Sequence, residues 1–167
     1  MTDASTVPAT PSRRAMLIAA GLVFAAAAPA AAQGDAGLVT VPSPHPVRAT
    51  IDRFGAAVRE AGWVVFTEID HAAAAQSAGL TLRPRTVVVF GNPRAGTPPM
   101  AARPTLALDL PMRILVWEDD QGRVFVTRST GEDVATRVFA RHGIAQPPEA
   151  RAGTEALFAR LVAKAVE

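Results

Sequence analysis

A β-hairpin between residues 113 and 128 is the feature that most constrains how this chain folds. Residues 113–118 and 123–128 are rich in apolar and β-branched side chains, and they flank the turn sequence Asp-Asp-Gln-Gly at 119–122. A connection this short joins antiparallel strands, whereas parallel strands need a crossover of a dozen residues or more. The chain therefore contains an antiparallel sheet.

The region before the hairpin alternates between strand and helix patterns. Residues 38–41 predict a short strand stopped by Pro42, and Ser43 and Pro44 then read as the N-cap and first position of a helix. Gly62 ends that helix, and residues 63–69 and 86–90 predict strands. Between these two strands we expect a short helix at 71–78. The apolar face of the first helix is predicted from the spacing of Val47, Ile51, Phe54, Val58 and Ala61.

The region after residue 90 predicts a loop, the hairpin and two helices. Residues 94–111 contain several prolines and are expected to form a loop with one or two helical turns. Helices are predicted at 132–142 and 149–166. In the second of these helices, the residues expected to point inward are Ala156, Leu157, Ala159, Leu161, Val162 and Ala165. This order predicts an α+β fold with one small antiparallel sheet and helices packed on one face.

The first 32 residues have the pattern of an export signal. Arg13 and Arg14 precede an uncharged apolar run at 15–28, and small residues at 30–32 follow Pro29. About fourteen apolar residues are too short to span a bilayer as a helix. We expect cleavage near Ala32, a periplasmic or secreted product, and no membrane attachment afterwards. The sequence around the two arginines resembles the twin-arginine export motif, and a general secretory signal is the alternative.

Composition excludes several classes of site. The chain has no Cys, which rules out disulfides, thiol catalysis and Cys-ligated metals. The 17 basic and 15 acidic residues give a net charge of +2 and are interleaved, so we expect no nucleic-acid binding. His45, His71 and His142 show no metal-ligand spacing. We therefore expect no metal site, and the sequence does not identify a cofactor.

Two short segments carry polar groups that could form a site. Asp70 next to His71 could orient an imidazole as a base, although a helix cap is the favoured explanation of Asp70. Residues 91–97 follow a strand with the Gly-x4-Gly spacing of a phosphate loop. The Lys that such a loop needs is absent, and we expect Pro98 and Pro99 to prevent a helical amide array. An anion-binding turn with Arg94, or a plain Gly/Pro loop, remains.

Several short motifs together resemble the domain-of-unknown-function family number 302. They are residues 69–73 (Ile-Asp-His-Ala-Ala), 90–93 (Phe-Gly-Asn-Pro), 96–97 (Gly-Thr), 108–111 (Leu-Asp-Leu-Pro) and 116–119 (Val-Trp-Glu-Asp). The resemblance covers about residues 41–142. It implies a β-α-β(4)-α arrangement similar to the TATA-binding-protein-like fold. It also implies one shared site made by Asp70, His71, Gly91, Asn92, Pro93, Thr97, Asp109 and Pro111.

We therefore expect an export signal at 1–32, an α+β domain at 33–146 and a helical appendage at 147–167 that mediates self-association. The leading functional hypothesis is an exported, non-enzymatic, homodimeric domain. It would bind a small ligand in a groove between the sheet and the Pro-rich loop, with polar contacts from Asn92, Thr97 and His71. One alternative is a hydrolase or isomerase that uses His71 as general base, oriented by Asp70 or Asp109. The other is a partner-binding module that docks through a sheet edge or the last helix.

Overall fold

The computed structural model describes Met1 and residues 37–167, and within them the chain forms an antiparallel sheet of five strands. The predicted signal peptide and its cleavage site at Ala32 lie outside these residues. The strand order is β1-β5-β4-β3-β2, so β1 and β2 are the edges. The strands are β1 (Leu38–Ser43), β2 (Val64–Asp70), β3 (Arg85–Gly91), β4 (Met112–Glu118) and β5 (Val124–Ser129). The α+β class and the single antiparallel sheet are confirmed.

Helices connect and cover the strands. They are α1 (Val47–Glu60), α2 (His71–Ser77), α3 (Pro93–Ala102), α4 (Gly131–Asp133) and α5 (Pro148–Val166). A 3₁₀ turn at Pro104–Leu108 follows α3, and α4 continues as a π-helix at Val134–Phe139 and a 3₁₀ turn at Ala140–His142. The long helices α1 and α5 pack against each other and supply much of the core on one side of the sheet. The predicted hairpin is formed by β4 and β5, and Gly122 in the turn between them has a φ of +75°.

The core is built around three aromatic rings from different elements. Phe54 of α1 contacts Phe90 of β3 edge-on, with ring centroids 5.1 Å apart, and Phe158 of α5 contacts the same ring at 5.7 Å. All three side chains are fully or almost fully buried. Because α5 closes this cluster, it belongs to the same core as the sheet, and describing residues 147–167 as an appendage was wrong.

The inward face of α5 also differs from the prediction. Its buried residues are Phe158, Leu161, Val162 and Ala165, whereas Ala156 and Ala159 are exposed. An Ala-rich helix gives little contrast between its faces, so periodicity alone did not fix its rotation. The large ring of Phe158 does fix it, because its burial removes the most apolar surface from water.

Two local boundaries were misplaced because of proline. Strand β1 continues through Pro42, which is tolerated because an edge strand leaves one row of N–H groups unpaired. Helix α1 begins at Val47 with Pro46 as its N-cap, so Ser43 and Pro44 do not cap it. Ser43 instead hydrogen-bonds Thr50 of α1, with the two hydroxyl oxygens 2.7 Å apart.

The predicted loop at 94–111 is largely helical. Helix α3 starts directly after Asn92, whose side-chain oxygen accepts a hydrogen bond from the Arg94 backbone N–H at 3.0 Å. Pro93 occupies the first helical position, where its missing N–H has no cost. Pro98 and Pro99 lie inside the helix without stopping it. The expectation that they prevent a helix was wrong, because the cap and Pro93 nucleate it upstream.

A buried ion pair joins the sheet to α5. The Arg128 side chain of β5 is only 5% exposed and donates two hydrogen bonds to the Glu155 carboxylate, at 3.1 and 2.5 Å. The same carboxylate accepts the Gly131 backbone N–H at 2.8 Å. The hydrogen bond from Arg128 is the main cause that lowers the pKa of Glu155, and burial opposes it. The pair therefore fixes β5, the start of α4 and α5 relative to one another.

Candidate functional site

A cavity of about 400 Å³ opens at the end of the sheet where β3 leads into α3. One wall comes from α3 and the segment before β4, and the opposite wall comes from α5 and the residues just before it. Its lining residues are Trp63, Phe66, Gly91, Asn92, Pro93, Ala95, Gly96, Met100, Leu110, Pro111, Met112, Phe139, Gln146, Ala150, Gly153, Thr154, Leu157 and Phe158. The volume lies within the usual range for small-molecule sites.

The cavity wall is apolar and carries no charged side chain. Its polar side chains are those of Asn92, Gln146 and Thr154. The Thr154 hydroxyl donates to the Ala150 carbonyl at 3.0 Å, and the Asn92 side-chain oxygen caps α3. In the part of the chain that the structure describes, the Asn92 and Gln146 NH₂ groups have no intramolecular acceptor. These two groups could orient a ligand.

Two glycines shape the wall in opposite ways. A Cβ on Gly91 would lie 3.3 Å from the Phe66 ring and 3.4 Å from Pro111, so glycine lets these side chains close over the end of β3. A Cβ on Gly153 of α5 would meet nothing within 4 Å. Gly153 therefore leaves part of the cavity empty, although glycine costs a helix interior about 1 kcal/mol relative to alanine.

The structure brings together only some of the predicted site residues. Gly91, Asn92, Pro93 and Pro111 all line the cavity, whereas Thr97 is exposed on α3 and is not among the lining residues. The groove between the sheet and the Pro-rich segment thus exists. The side-chain amide groups available in this groove are those of Asn92 and Gln146, and Thr97 does not line it.

Asp70 and His71 lie far from the cavity. Asp70 pairs with Thr86 at the start of β3, and Gly91 at the other end of β3 pairs with Val64. Five residues of strand separate the two ends by roughly 17 Å. The Asp70 carboxylate accepts hydrogen bonds from the N–H groups of Ala72 and Ala73 at 2.9 and 3.0 Å. The cap interpretation of Asp70 is therefore confirmed.

Asp109 pairs with a different histidine from the one expected. Its carboxylate lies 2.6 Å from His142 Nε2, and His142 Nδ1 lies 2.9 Å from the Thr105 hydroxyl. In the neutral tautomer that fits both contacts, Nε2–H donates to Asp109 and Nδ1 accepts from Thr105. The hydrogen bond from His142 is the main cause that lowers the pKa of Asp109. Burial opposes this shift, and the charges of Arg141 and Arg113 contribute to it.

The chain from hydroxyl to imidazole to carboxylate has the order of an acyl-transfer triad. However, Thr105, His142 and Asp109 are not among the residues that line the cavity, and Thr105 is exposed on the surface. A catalytic nucleophile needs a substrate site beside it, and these three residues do not face the cavity described above. We interpret the cluster as a structural tie, in which side-chain hydrogen bonds hold the 3₁₀ turn after α3 against the 3₁₀ turn at Ala140–His142.

A family of known proteins matches most of this chain. A family model described as "Domain of unknown function DUF302" matches residues 39–161. This chain belongs to that family. The match extends into α5, which agrees with the place of α5 in the core and goes beyond the range of 41–142 expected from the motifs.

The crystal structure of an uncharacterized conserved protein DUF302 from Bacillus stearothermophilus has the same fold. The two structures superpose with a TM-score of 0.64 and 16% sequence identity, over 78% of this chain and 99% of that one. At this identity the likeness establishes the fold alone. It supports the architecture that the motifs implied.

Among curated proteins, this chain is similar to parts of two Brucella proteins named fluoride-specific ion channel FluC 1. The match to the Brucella suis protein is 50% identical over 93 residues, which is 56% of this chain and 37% of that protein. The Brucella abortus protein matches with the same identity over 34% of its length. The chain spans about a third of these relatives. Within the described residues, no helix has the length and hydropathy needed to cross a membrane.

Sequence reasoning missed most of the cavity wall. Phe66, Met100, Phe139 and Gly153 come from four separate segments and share no motif. One signal was available in Gly153, because an isolated glycine inside a helical pattern often has a packing or functional reason.

Proposed function

We propose that this protein is an exported binding domain that takes one small, uncharged and largely apolar ligand in the cavity between α3 and α5. The observation that carries the proposal is the composition of the wall, which combines aromatic and thioether side chains with two side-chain amide groups and no charge. Such a wall favours apolar surface through the hydrophobic effect. It would also penalise a charged ligand, since a buried ion without a partner loses its hydration.

The position of the cavity supports this proposal. It lies between the end of the sheet and two helices, so its walls are rigid elements rather than long loops. Asn92 is held in place by its cap on α3, with the hydrogen bond to the Arg94 N–H at 3.0 Å. Its NH₂ group is thereby oriented before a ligand arrives, which lowers the ordering cost of binding.

Native mass spectrometry tests the proposal without knowledge of the ligand. The protein is purified from its own host, and its mass is recorded under native and denaturing conditions. We expect a native mass excess of one small molecule that disappears on denaturation and extracts into organic solvent. The proposal is wrong if no such molecule is retained and the uncharged probe N-phenyl-1-naphthylamine also fails to bind. The denatured mass also tests export, since processing near Ala32 removes the first residues.

A second candidate function rests on the channel relatives. Half of the aligned residues are identical to a segment of proteins named for fluoride-specific ion conduction. We propose as an alternative that the domain works beside a fluoride channel as a partner module. Deleting the gene should then lower the fluoride concentration that arrests growth, with no change for chloride. Equal tolerance of both strains to fluoride would argue against it.

The enzymatic alternative has less support from the geometry. His71 is exposed at the start of α2, and no hydrogen bond links it to Asp70 or Asp109 in residues 37–167. An enzyme that uses His71 as general base would lose turnover in a His71→Ala variant. Unchanged turnover, on any substrate found, would exclude that mechanism.

A further inference from the structure

The face of the sheet that points away from α1 and α5 is apolar in its centre. Side chains alternate between the two faces along each strand. Val88, Ile114 and Val126 are buried against the helices, so their strand neighbours point to the other side. We call that other side the open face. Its middle row runs through residues paired across all five strands, which are Thr40, Thr127, Leu115, Val87 and Ile69.

A second row adds two aromatic rings to the open face. Trp117 of β4 stacks on Phe125 of β5, with ring centroids 4.9 Å apart, and its indole N–H donates to Thr127 at 2.9 Å. Both rings are half-buried. The stacking holds the rings in one arrangement before any partner arrives, which reduces the side-chain entropy lost on association.

Exposed large apolar side chains surround this centre. Leu38 on β1 is 40% exposed, and Ile69 and Val64 on β2 are 45% and 42% exposed. Their positions in the register place all three on the open side of the edge strands. Scattered apolar residues are normal on a surface, but Ile69 continues the apolar row of Leu115 and Val87 to the edge of the sheet, and a continuous apolar row marks an interaction site.

We propose that the open face is the interface of a two-fold symmetric dimer of this chain. The two open faces would pack as the layers of a β-sandwich, with interdigitating side chains and the sheets about 10 Å apart. A two-fold interface uses the same patch on both copies, so an uncharged apolar centre complements itself. Arg85 and Arg113 lie on the same face beside the apolar centre.

The size of the open face fits a dimer. Five strands about 4.8 Å apart, with six residues of about 3.3 Å each, give roughly 24 by 20 Å, or about 480 Å² in projection. The accessible area is larger than the projection because side chains stand out from the sheet. A standard interface buries about 800 Å² on each partner, so the open face with its rim is of the right order.

Leu115 gives the sharpest test because it lies at the centre of the open face. It is in the third of five strands and in the middle row. If a two-fold dimer covers the whole open face, its symmetry axis lies in the plane between the two sheets and passes close to the centre of the face. The Leu115 residues of the two copies therefore face each other, whatever the direction of the axis in that plane. Since the chain has no native Cys, a single Leu115→Cys variant should be cross-linked between two copies by a short bis-maleimide, which can span the roughly 10 Å between the sheets. Ala163→Cys, exposed on α5, serves as the control that should stay monomeric in the same gel.

Sedimentation velocity measures the association directly. The purified protein should sediment at twice the chain mass. Leu115→Glu should weaken the dimer at least about 30-fold, as expected for the centre of an interface. Ala163→Glu is the matched control, because Ala163 is exposed on α5, which packs on the other side of the sheet. If Leu115→Glu fails to fold by circular dichroism, Ile69→Glu at the exposed edge replaces it.

Three results would overturn the proposal. The first is a wild-type monomer at 100 µM, since the face would then be free or covered by another part of the chain or another protein. The second is a dimer that persists in folded Leu115→Glu and Ile69→Glu. The third is equal cross-linking of Leu115→Cys and Ala163→Cys by the bis-maleimide.

Discussion

Removing the carboxylate of Glu155 is expected to cost about 2–3 kcal/mol of unfolding free energy at pH 7. The Glu155→Ala variant leaves the Arg128 guanidinium, which is only 5% exposed, without its partner. Breaking a buried ion pair costs about 3–5 kcal/mol because one charge stays buried and unpaired. The Glu155 side chain is itself 42% exposed, so water can take its place in part, and we expect a loss at or below the low end of that range.

The same variant should show a defined pH dependence. The pKa of Glu155 is lowered in the folded protein, mainly by the hydrogen bond from Arg128. The stability that the carboxylate contributes is therefore complete above the pKa it has in the unfolded chain, and it is lost as pH falls through the lower folded pKa. The difference between wild type and Glu155→Ala should be largest at neutral pH and should shrink at pH 3.

Urea unfolding followed by circular dichroism at pH 7 and pH 3 measures both effects. Glu60→Ala is the matched control, since Glu60 of α1 forms an ion pair with Lys164 of α5 and both side chains are exposed. It should cost clearly less than Glu155→Ala, because an exposed ion pair is screened by solvent. Equal losses for Glu155→Ala and Glu60→Ala, or a Glu155→Ala deficit that is unchanged at pH 3, would refute the reasoning.

Four further variants test the core, the cap and the surface tie, each by urea unfolding. Phe158→Ala should cost about 3–5 kcal/mol because its ring is buried against Phe90, and a loss below 1 kcal/mol would contradict the place of α5 in the core. Asp70→Ala should cost about 1 kcal/mol through the lost cap, whereas His71→Ala should change stability by less than about 0.5 kcal/mol. Asp109→Asn should lower stability at pH 7, and the deficit should vanish as pH falls through the lowered pKa of Asp109, so a deficit that does not depend on pH would count against the His142 tie.

The elements with strong local signals could be predicted from the sequence. The turn at 119–122 fixed the hairpin because Gly122 takes a positive φ and the Asp119 carboxylate accepts the Gln121 and Arg123 N–H groups at 3.0 and 2.9 Å. The cap at Asp70 depends only on residues two and three positions away. These are local interactions, so the sequence contains all the information they need.

The parts that depend on distant contacts could not be predicted in the same way. The rotation of α5 is decided by the contact of Phe158 with Phe90, which is 68 positions away along the chain. The partner of Asp109 is His142, 33 positions away, and no spacing rule distinguishes it from His71. The cavity likewise needs the end of β3, α3 and α5 to be placed together before its wall exists.

The proposal that an apolar ligand binds in the cavity between α3 and α5 is tested most directly by a variant that fills part of that cavity. Gly153→Leu places a side chain where a Cβ meets nothing within 4 Å, and replacing glycine inside a helix should maintain or raise stability. Ala159→Leu, exposed on the same helix, is the control. In a fluorescence titration with N-phenyl-1-naphthylamine, we predict tight binding to wild type and Ala159→Leu, and at least about tenfold weaker binding to Gly153→Leu. Equal affinity for all three folded proteins would contradict the claim.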